Sequence, residues 1–202
     1  MNHSAYTTID HQATAELTVE RSRFLGHCLE ITTESEAKSF VARIREEHSQ
    51  ASHNCYAYRI GSGENPIEYY NDHGEPSGTA GKPILGAIQR LNLTNVAVVI
   101  TRYFGGKKLG VRGLIDAYGQ AATLVLEEAG TIVRVPKFTA TLVYNYSEHS
   151  LILYRLPQFE AEVLKTEYTD LVTLQISLPI AQKQKFLSMV NELPSIKFDI
   201  HC

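Results

Sequence analysis

Two glycine-bearing segments hold the residues with the most chemistry to offer. Residues 72–82 set two carboxylates (Asp72, Glu75), two hydroxyls (Ser77, Thr79) and one cation (Lys82) among glycines. A Walker A loop needs a glycine, four residues, then Gly-Lys-Ser/Thr. Counting back from Gly81-Lys82 puts Pro76 in the first glycine's place and Pro83 in the hydroxyl's, so this is not a Walker A loop. The amides that open the following helix still suit an anion, with Lys82 beside them. The plainer reading is a tight turn whose glycines supply positive φ. Residues 101–113 carry Arg102, Lys107, Lys108 and Arg112 with no acid, and the aromatic pair Tyr103 and Phe104. Basic residues, aromatics and glycines together suit a phosphate backbone and stacked bases. The competing reading makes Tyr103 and Phe104 core anchors and the charges a solvated turn.

A second group of side chains is less specific. His53 and Cys55 are two apart and share one face of a strand. With Asp72, His73 and Glu75 they suggest a metal or thiol site, although zinc needs three or four converging ligands. A Cys–His nucleophile needs hydrogen-bond proximity; otherwise Cys55 is a small buried hydrophobe. Glu75 and Asp72 suit acid–base work, or a structural ion pair with Lys82 or Arg102. The eight histidines form no HExxH pair. Cys28, Cys55 and Cys202 form no CxxC, which excludes a zinc ribbon and argues against a disulfide framework. No metal and no cofactor is expected.

The elements that must position these groups follow from periodicity. Two strands are expected near residues 13–19 and 24–31. Thr33 then precedes a helix with Ala37, Phe40, Val41 and Ile44 on one face. Strands follow at 54–60 and 67–71, a helix at 82–91 and a buried strand at 96–101. Leu114, Tyr118, Ala121 and Val125 line a long helix that ends at Gly130. All thirteen glycines lie at or before Gly130. That shift in composition places a domain boundary at Val135-Pro136, giving domains 1–135 and 136–202.

The second domain alternates cleanly. Phe138, Ala140, Leu142 and Tyr144 share a strand face. Ser147 is expected to cap a helix running to Leu156, and a strand follows at 161–167. Val172, Leu174, Ile176 and Leu178 form another strand face, leaving Thr173, Gln175 and Ser177 outside. Pro179 is expected early in a helix with Phe186, Val190 and Leu193 on one face. Ile196, Phe198 and Ile200 alternate again. The order βαββαβ is the ferredoxin-like pattern, and the fold class is α+β. Its outer sheet face is polar and lacks the aromatics of an RRM; a protein-interaction role for it is neither supported nor excluded.

Composition limits the function classes. The chain has 202 residues, 44% hydrophobic and 20% charged, enough to bury a core and too apolar for wholesale disorder. Nineteen basic and 22 acidic residues give a net charge of −3, so nucleic-acid binding must be confined to a patch. The run 96–100 is far too short to span a bilayer. The polar segment 1–10 lacks a signal-peptide core. A reduced, soluble, cytoplasmic protein is expected.

Residues 98–110, from Val98 through Thr101-Arg102-Tyr103-Phe104-Gly105-Gly106-Lys107-Lys108 to Gly110, resemble a signature of the YigZ/IMPACT family. Residues 72–83 resemble that family's other characteristic loop, and Ser22-Arg23-Phe24 and His53-Asn54-Cys55-Tyr56-Ala57 also fit. The likeness is strong from Arg21 to Gly130 and extends to the βαββαβ unit as a bacterial-type second domain. It implies a first domain of the ribosomal-protein/elongation-factor-G-like α/β type and a ferredoxin-like second domain. It also implies a connection to translational control, the role of eukaryotic relatives. Those relatives carry an extra N-terminal partner-binding domain. About twenty residues precede Arg21 here, so that domain is expected to be missing and its partner is not carried over.

Two functions compete. One is a translation-associated regulatory protein that binds RNA, the ribosome or a translation factor. Its basic loop would use Arg102, Lys107, Lys108 and Arg112 on phosphates and Tyr103 for stacking, with Lys82 in the companion loop. The alternative is a small hydrolase or transferase acting on an anionic substrate between the two loops. Glu75 would be its acid/base, Ser77 or Cys55 its nucleophile, and Arg102 and Lys82 its anion clamp. A deep pocket where Glu75 and Arg102 converge would favour the enzyme, and a broad basic groove the nucleic acid.

Overall fold

The computed structural model describes residues 5–63 and 65–201. The chain divides into two compact units, one spanning Tyr6–Arg134 and one from Val135 onward.

In the first unit the elements run β1 (Tyr6–Ile9), β2 (Ala13–Val19), β3 (Ser22–Glu30), α1 (Glu34–Glu47), β4 (His53–Ile60), β5 (Ile67–Asn71), α2 (Gly81–Arg90), β6 (Val96–Tyr103), α3 (Gly110–Glu128) and β7 (Thr131–Arg134). Five strands form an antiparallel sheet in the order β2-β3-β6-β4-β5. β6 is central, and every residue from Val96 to Arg102 is buried. A strand buried on both faces reads as a continuous apolar run rather than an alternation. One face carries α2 and α3, packed through Phe24, Cys55, Ala57, Val98 and Ile100 against Ile84, Ile88, Leu114, Tyr118 and Val125. The other face carries α1, whose Ala37, Phe40, Val41 and Ile44 meet Tyr58, Ile60, Ala97 and Val99. These are the four α1 residues expected from helical spacing. Thr33 caps α1, with its side chain on the Glu36 amide and the Glu36 carboxylate returned to the Thr33 amide.

Two departures in this unit have physical causes. β1 and β7 were not expected; they pair with each other, Tyr6 opposite Arg134 and Ile9 opposite Thr131. The β6 strand also runs two residues past the expected end at Thr101, to Tyr103. That extension decides which way the basic residues point.

The second unit runs β8 (Lys137–Tyr144), α4 (His149–Arg155), β9 (Glu162–Tyr168), β10 (Val172–Pro179), α5 (Lys183–Asn191) and β11 (Lys197–His201). Its antiparallel sheet has the order β11-β8-β10-β9, the arrangement of a ferredoxin-like βαββαβ unit. Phe138, Leu142, Leu174, Ile176, Phe186 and Val190 form its core. The mixed α+β, two-domain architecture is therefore as expected. Three details differ. Asn145 caps the 3₁₀ turn that leads into α4, its backbone amide donating to the Glu148 carboxylate at 3.3 Å; Ser147 sits inside that turn, and Glu148 holds the position before α4. Pro179 closes β10 and stands before the 3₁₀ turn that leads into α5, rather than inside the helix. Ser177, expected outside, is buried.

No helix among the described residues is long and apolar enough to cross a membrane. Cys28 and Cys55 are free thiols, and Cys202 lies outside the described residues.

Candidate functional site

Sheet register builds the site. β3, β6 and β4 are neighbours, and Phe24, Arg102 and His53 fall opposite one another in a cross-strand row. Residues directly opposite on one face have their side chains in contact range. The row lies at the end of the sheet where residues 72–80 leave β5 and residues 104–109 leave β6. The two glycine loops therefore meet.

Their contact is an ion pair. Arg102 Nη1 lies 2.6 Å from Glu75 Oε1, and the two side chains are only 6% and 4% exposed. Tyr118, from α3, donates its hydroxyl to the same Glu75 oxygen at 2.9 Å. His53 Nε2 is 3.8 Å from it. Arg102 Nη2 donates to Ser22 Oγ, which also accepts the Gly105 amide, at 3.3 and 3.2 Å. The Arg102 guanidinium is stacked against Phe24 and Phe104, 5.4 Å from each ring centre. A buried charge pair needs partners for its remaining donors and acceptors; here β3, β4, α3 and the two loops supply them for all but the Arg102 Nε, which finds no acceptor.

Glycine is required where the loops close. A Cβ on Gly105 would stand 2.0 Å from the Arg21 carbonyl oxygen, and one on Gly81 would stand 2.8 Å from the Asn71 nitrogen. No side chain fits at either place.

The Asp72 carboxylate organises the first loop. It accepts the amides of Gly78 (2.8 Å), Ala80 (3.0 Å) and Gly81 (2.8 Å). The opening amides of α2 are thus taken by the protein's own anion, which corrects the expectation of an anion site there beside Lys82. Lys82 itself is exposed on α2.

The thiol expectation is also corrected. Cys55 is fully buried, donates to the Asp72 carbonyl at 2.9 Å and lies 3.4 Å from the Tyr118 hydroxyl. Burial pushes the thiol up to about 12, so no thiolate nucleophile is available near neutral pH. Burial pushes the Tyr118 phenol up as well, keeping it a donor. His53 Nδ1 donates to the His73 carbonyl, and His73 Nδ1 accepts the Asn54 amide; burial holds His73 below the usual imidazole range. Among the described residues no three His, Cys, Asp or Glu side chains come together to hold a metal ion.

The basic loop is divided by the pleat. Arg102 faces α3, whereas Tyr103 faces α1, where its hydroxyl meets His48 Nδ1 at 2.9 Å. Lys107 pairs with Glu20 at 2.6 Å on the surface. Lys108 and Arg112 are exposed. Phe104, 49% exposed, stays at the Arg102 side. Ser77 is exposed, and no hydrogen bond joins it to Glu75 or His53. Between the loops and the start of α3 lies a cleft of about 430 Å³. Its polar lining is His53, Glu75, Arg102 and Lys108; Pro76, Phe104, Leu109, Val111 and Leu114 supply the apolar part. The structure thus brings Glu75, Arg102 and Lys108 together, and leaves Ser77, Lys82, Tyr103, Lys107 and Arg112 outside the lining. Sequence reasoning missed Tyr118 and Ser22, both bound to the central pair. Tyr118 was read only as a helix-face residue.

Comparison with known proteins bears on the two units rather than on the site. Residues 20–126 match the Impact N-terminal domain, and residues 142–194 match a domain of unknown function, DUF1949. The chain is 35% identical over 200 residues to IMPACT family member YvyE of Bacillus subtilis, covering 99% of this chain and 91% of that protein. It is 32% identical over 169 residues to IMPACT family member YigZ of Escherichia coli, covering 83% of each. A crystal structure described as that of a hypothetical protein superposes with a TM-score of 0.69 at 27% identity, over 98% of this chain and 97% of that one. Both domains and nearly the full length being matched, the chain belongs to the IMPACT family.

Proposed function

We propose that this chain acts in the control of translation as a binding protein. It meets ribosomal RNA, tRNA or a ribosome-bound factor with the loop between β6 and α3. Family membership supports the translational role, the expectation carried by the resemblance. The observation that carries the site is the buried Arg102–Glu75 pair. It uses the innermost cation of the loop to fix the loop, and leaves Lys108 and Arg112 exposed on a preset frame. Lys107 contributes less, because Glu20 accompanies it.

The hydrolase or transferase reading has the cleft in its favour, but the groups assigned to its chemistry are engaged elsewhere. Glu75 Oε1 already accepts from Arg102 and Tyr118, Asp72 is committed to backbone amides, and Cys55 stays protonated. These engagements favour binding over catalysis.

Ribosome co-sedimentation at low and physiological salt tests the reading. Wild-type protein should pellet at low salt and lose affinity steeply as salt rises. The Lys107→Ala/Lys108→Ala/Arg112→Ala variant should not pellet, while keeping the wild-type unfolding midpoint. Absence of wild-type pelleting at low salt would overturn the proposal.

A further inference from the structure

We infer that two copies of this chain join edge to edge through β9, making one sheet of eight strands from two sheets of four. The proposal concerns the second unit. It is independent of the ribosome reading, whose basic loop belongs to the first unit.

β9 is an open edge. In the order β11-β8-β10-β9 it bonds only to β10 among the described residues. The outer side of an edge strand presents unpaired amides and carbonyls, a template for another strand. Proteins blunt such edges by shortening or covering them. β9 has seven residues, and all but Thr166 are exposed.

Apolar surface gathers at the same edge. Val163, Leu164 and Tyr168 are 46, 52 and 59% exposed. Val163 and Tyr168 fall opposite Ile176 and Val172, both buried, and so lie on the helix-bearing face. Tyr168 meets the ring of His149, the first residue of α4. α4 continues the patch. Arg155 pairs with Glu192 at the end of α5, and α5 lies toward β8, where Phe186 meets Phe138. Leu153 is two residues earlier, about 200° around the helix, and so takes the flank on the β9 side; it is 41% exposed. Contiguous exposed apolar side chains mark an interaction surface.

Charge selects a second copy as the occupant. Lys165 and Glu167 fall opposite Gln175 and Thr173, on the face away from the helices. A two-fold axis at Thr166 sets two antiparallel β9 strands so that each Lys165 stands opposite the other copy's Glu167. Opposite charges across a strand pair stabilise it, and like charges destabilise it. The same axis brings Tyr168 to the Val163–Leu164 end of the second strand. Moving the axis to Lys165 or Glu167 places lysine against lysine or glutamate against glutamate. A two-fold contact uses one patch twice and therefore requires this self-complementarity. The opposite edge, β11, is five residues long, with Phe198 its only exposed large apolar side chain, and offers less.

Sedimentation equilibrium of the full chain tests the contact. An interface of this size is at the small end of specific contacts, so association should appear in the micromolar range. The average mass should rise with concentration from 22.6 kDa toward twice that value. Lys165→Glu and Glu167→Lys each place like charges across the axis, and each should weaken association about tenfold or more. An equimolar mixture of these two variants restores every opposite pair and should associate like wild type. The double variant Lys165→Glu/Glu167→Lys should do the same. Both positions are exposed, and circular dichroism melts check that each variant is folded. A wild-type mass that stays at one chain up to about 200 µM would overturn the proposal. Association unchanged in both single variants would place the contact elsewhere and also overturn it. Association lost in the single variants but not regained in the mixture would reject the Thr166 register.

Discussion

Arg102 is a basic residue in a basic loop, yet its charge is turned inward. With Glu75 it forms a pair whose members are both almost fully buried, so removing one strands the other. Breaking such a pair typically costs about 3–5 kcal/mol. Arg102→Ala and Glu75→Gln should each lower the urea-derived stability by about that amount. Arg102→Met combined with Glu75→Leu removes both charges and should recover much of it. The double variant would then separate stability from binding, since it keeps the frame and loses the cation. A double variant no more stable than Arg102→Ala would show that the pair's hydrogen bonds to Ser22 and Tyr118, rather than the charges, hold the loops. Asp72 acts in the same structural way. Asn at position 72 would present an amide N–H toward Gly78 or the Ala80/Gly81 pair, where only an acceptor fits. Asp72→Asn should cost about 1–3 kcal/mol in the same assay, and a loss below a few tenths would contradict the clamp.

At the level of elements, much was legible because burial follows period. The α1 face and the α3 face read directly from helical spacing, and β6 read from its continuous apolar run. β1 was not legible: Tyr-Thr-Thr-Ile is short and half polar, and its partner lies beyond residue 130. The meeting of the loops was equally hidden. Arg102 and Glu75 come together only because β4 and β6 are neighbours in the sheet, which no local pattern reports. The separation of Arg102 from Tyr103 did have a signal. Consecutive strand residues face opposite ways, and ending β6 at Thr101 concealed it. The α1 face holds a titrating group of its own. His27 packs against His48, and burial, aided by the charges of His48 and Arg43 and opposed by Glu47, holds it down at about 4. The folded chain keeps it neutral, whereas the unfolded chain protonates it near 6.5. Its contribution is complete above that ordinary value and is lost as pH falls toward about 4. Wild type should therefore lose more stability between pH 7 and pH 5 than His27→Gln, read as urea midpoints. Parallel pH profiles for the two proteins would contradict this.

Across the whole molecule, the cleft draws on one unit alone. His53, Glu75, Arg102, Phe104, Lys108 and the start of α3 all lie between Tyr6 and Arg134. That unit also has its own buried clusters on both faces of its sheet. At about 130 residues it is in the size range of independently folding domains. The strand β7 is its last structural requirement, because among the described residues β1 pairs with no other strand, and Asp10 and His11 donate to the backbone at Gly130 and Ala129 just before it. A fragment ending at Arg134 should therefore unfold cooperatively in urea and pellet with ribosomes at low salt with the affinity of the full chain. A fragment ending at Gly130 removes β7, leaves β1 unpaired, and should be less stable while keeping the same cleft residues. Comparing the two separates the frame from the site. Full affinity in the longer fragment would assign recognition to the first unit, and a cooperative fragment with lost affinity would show that recognition requires residues after Arg134.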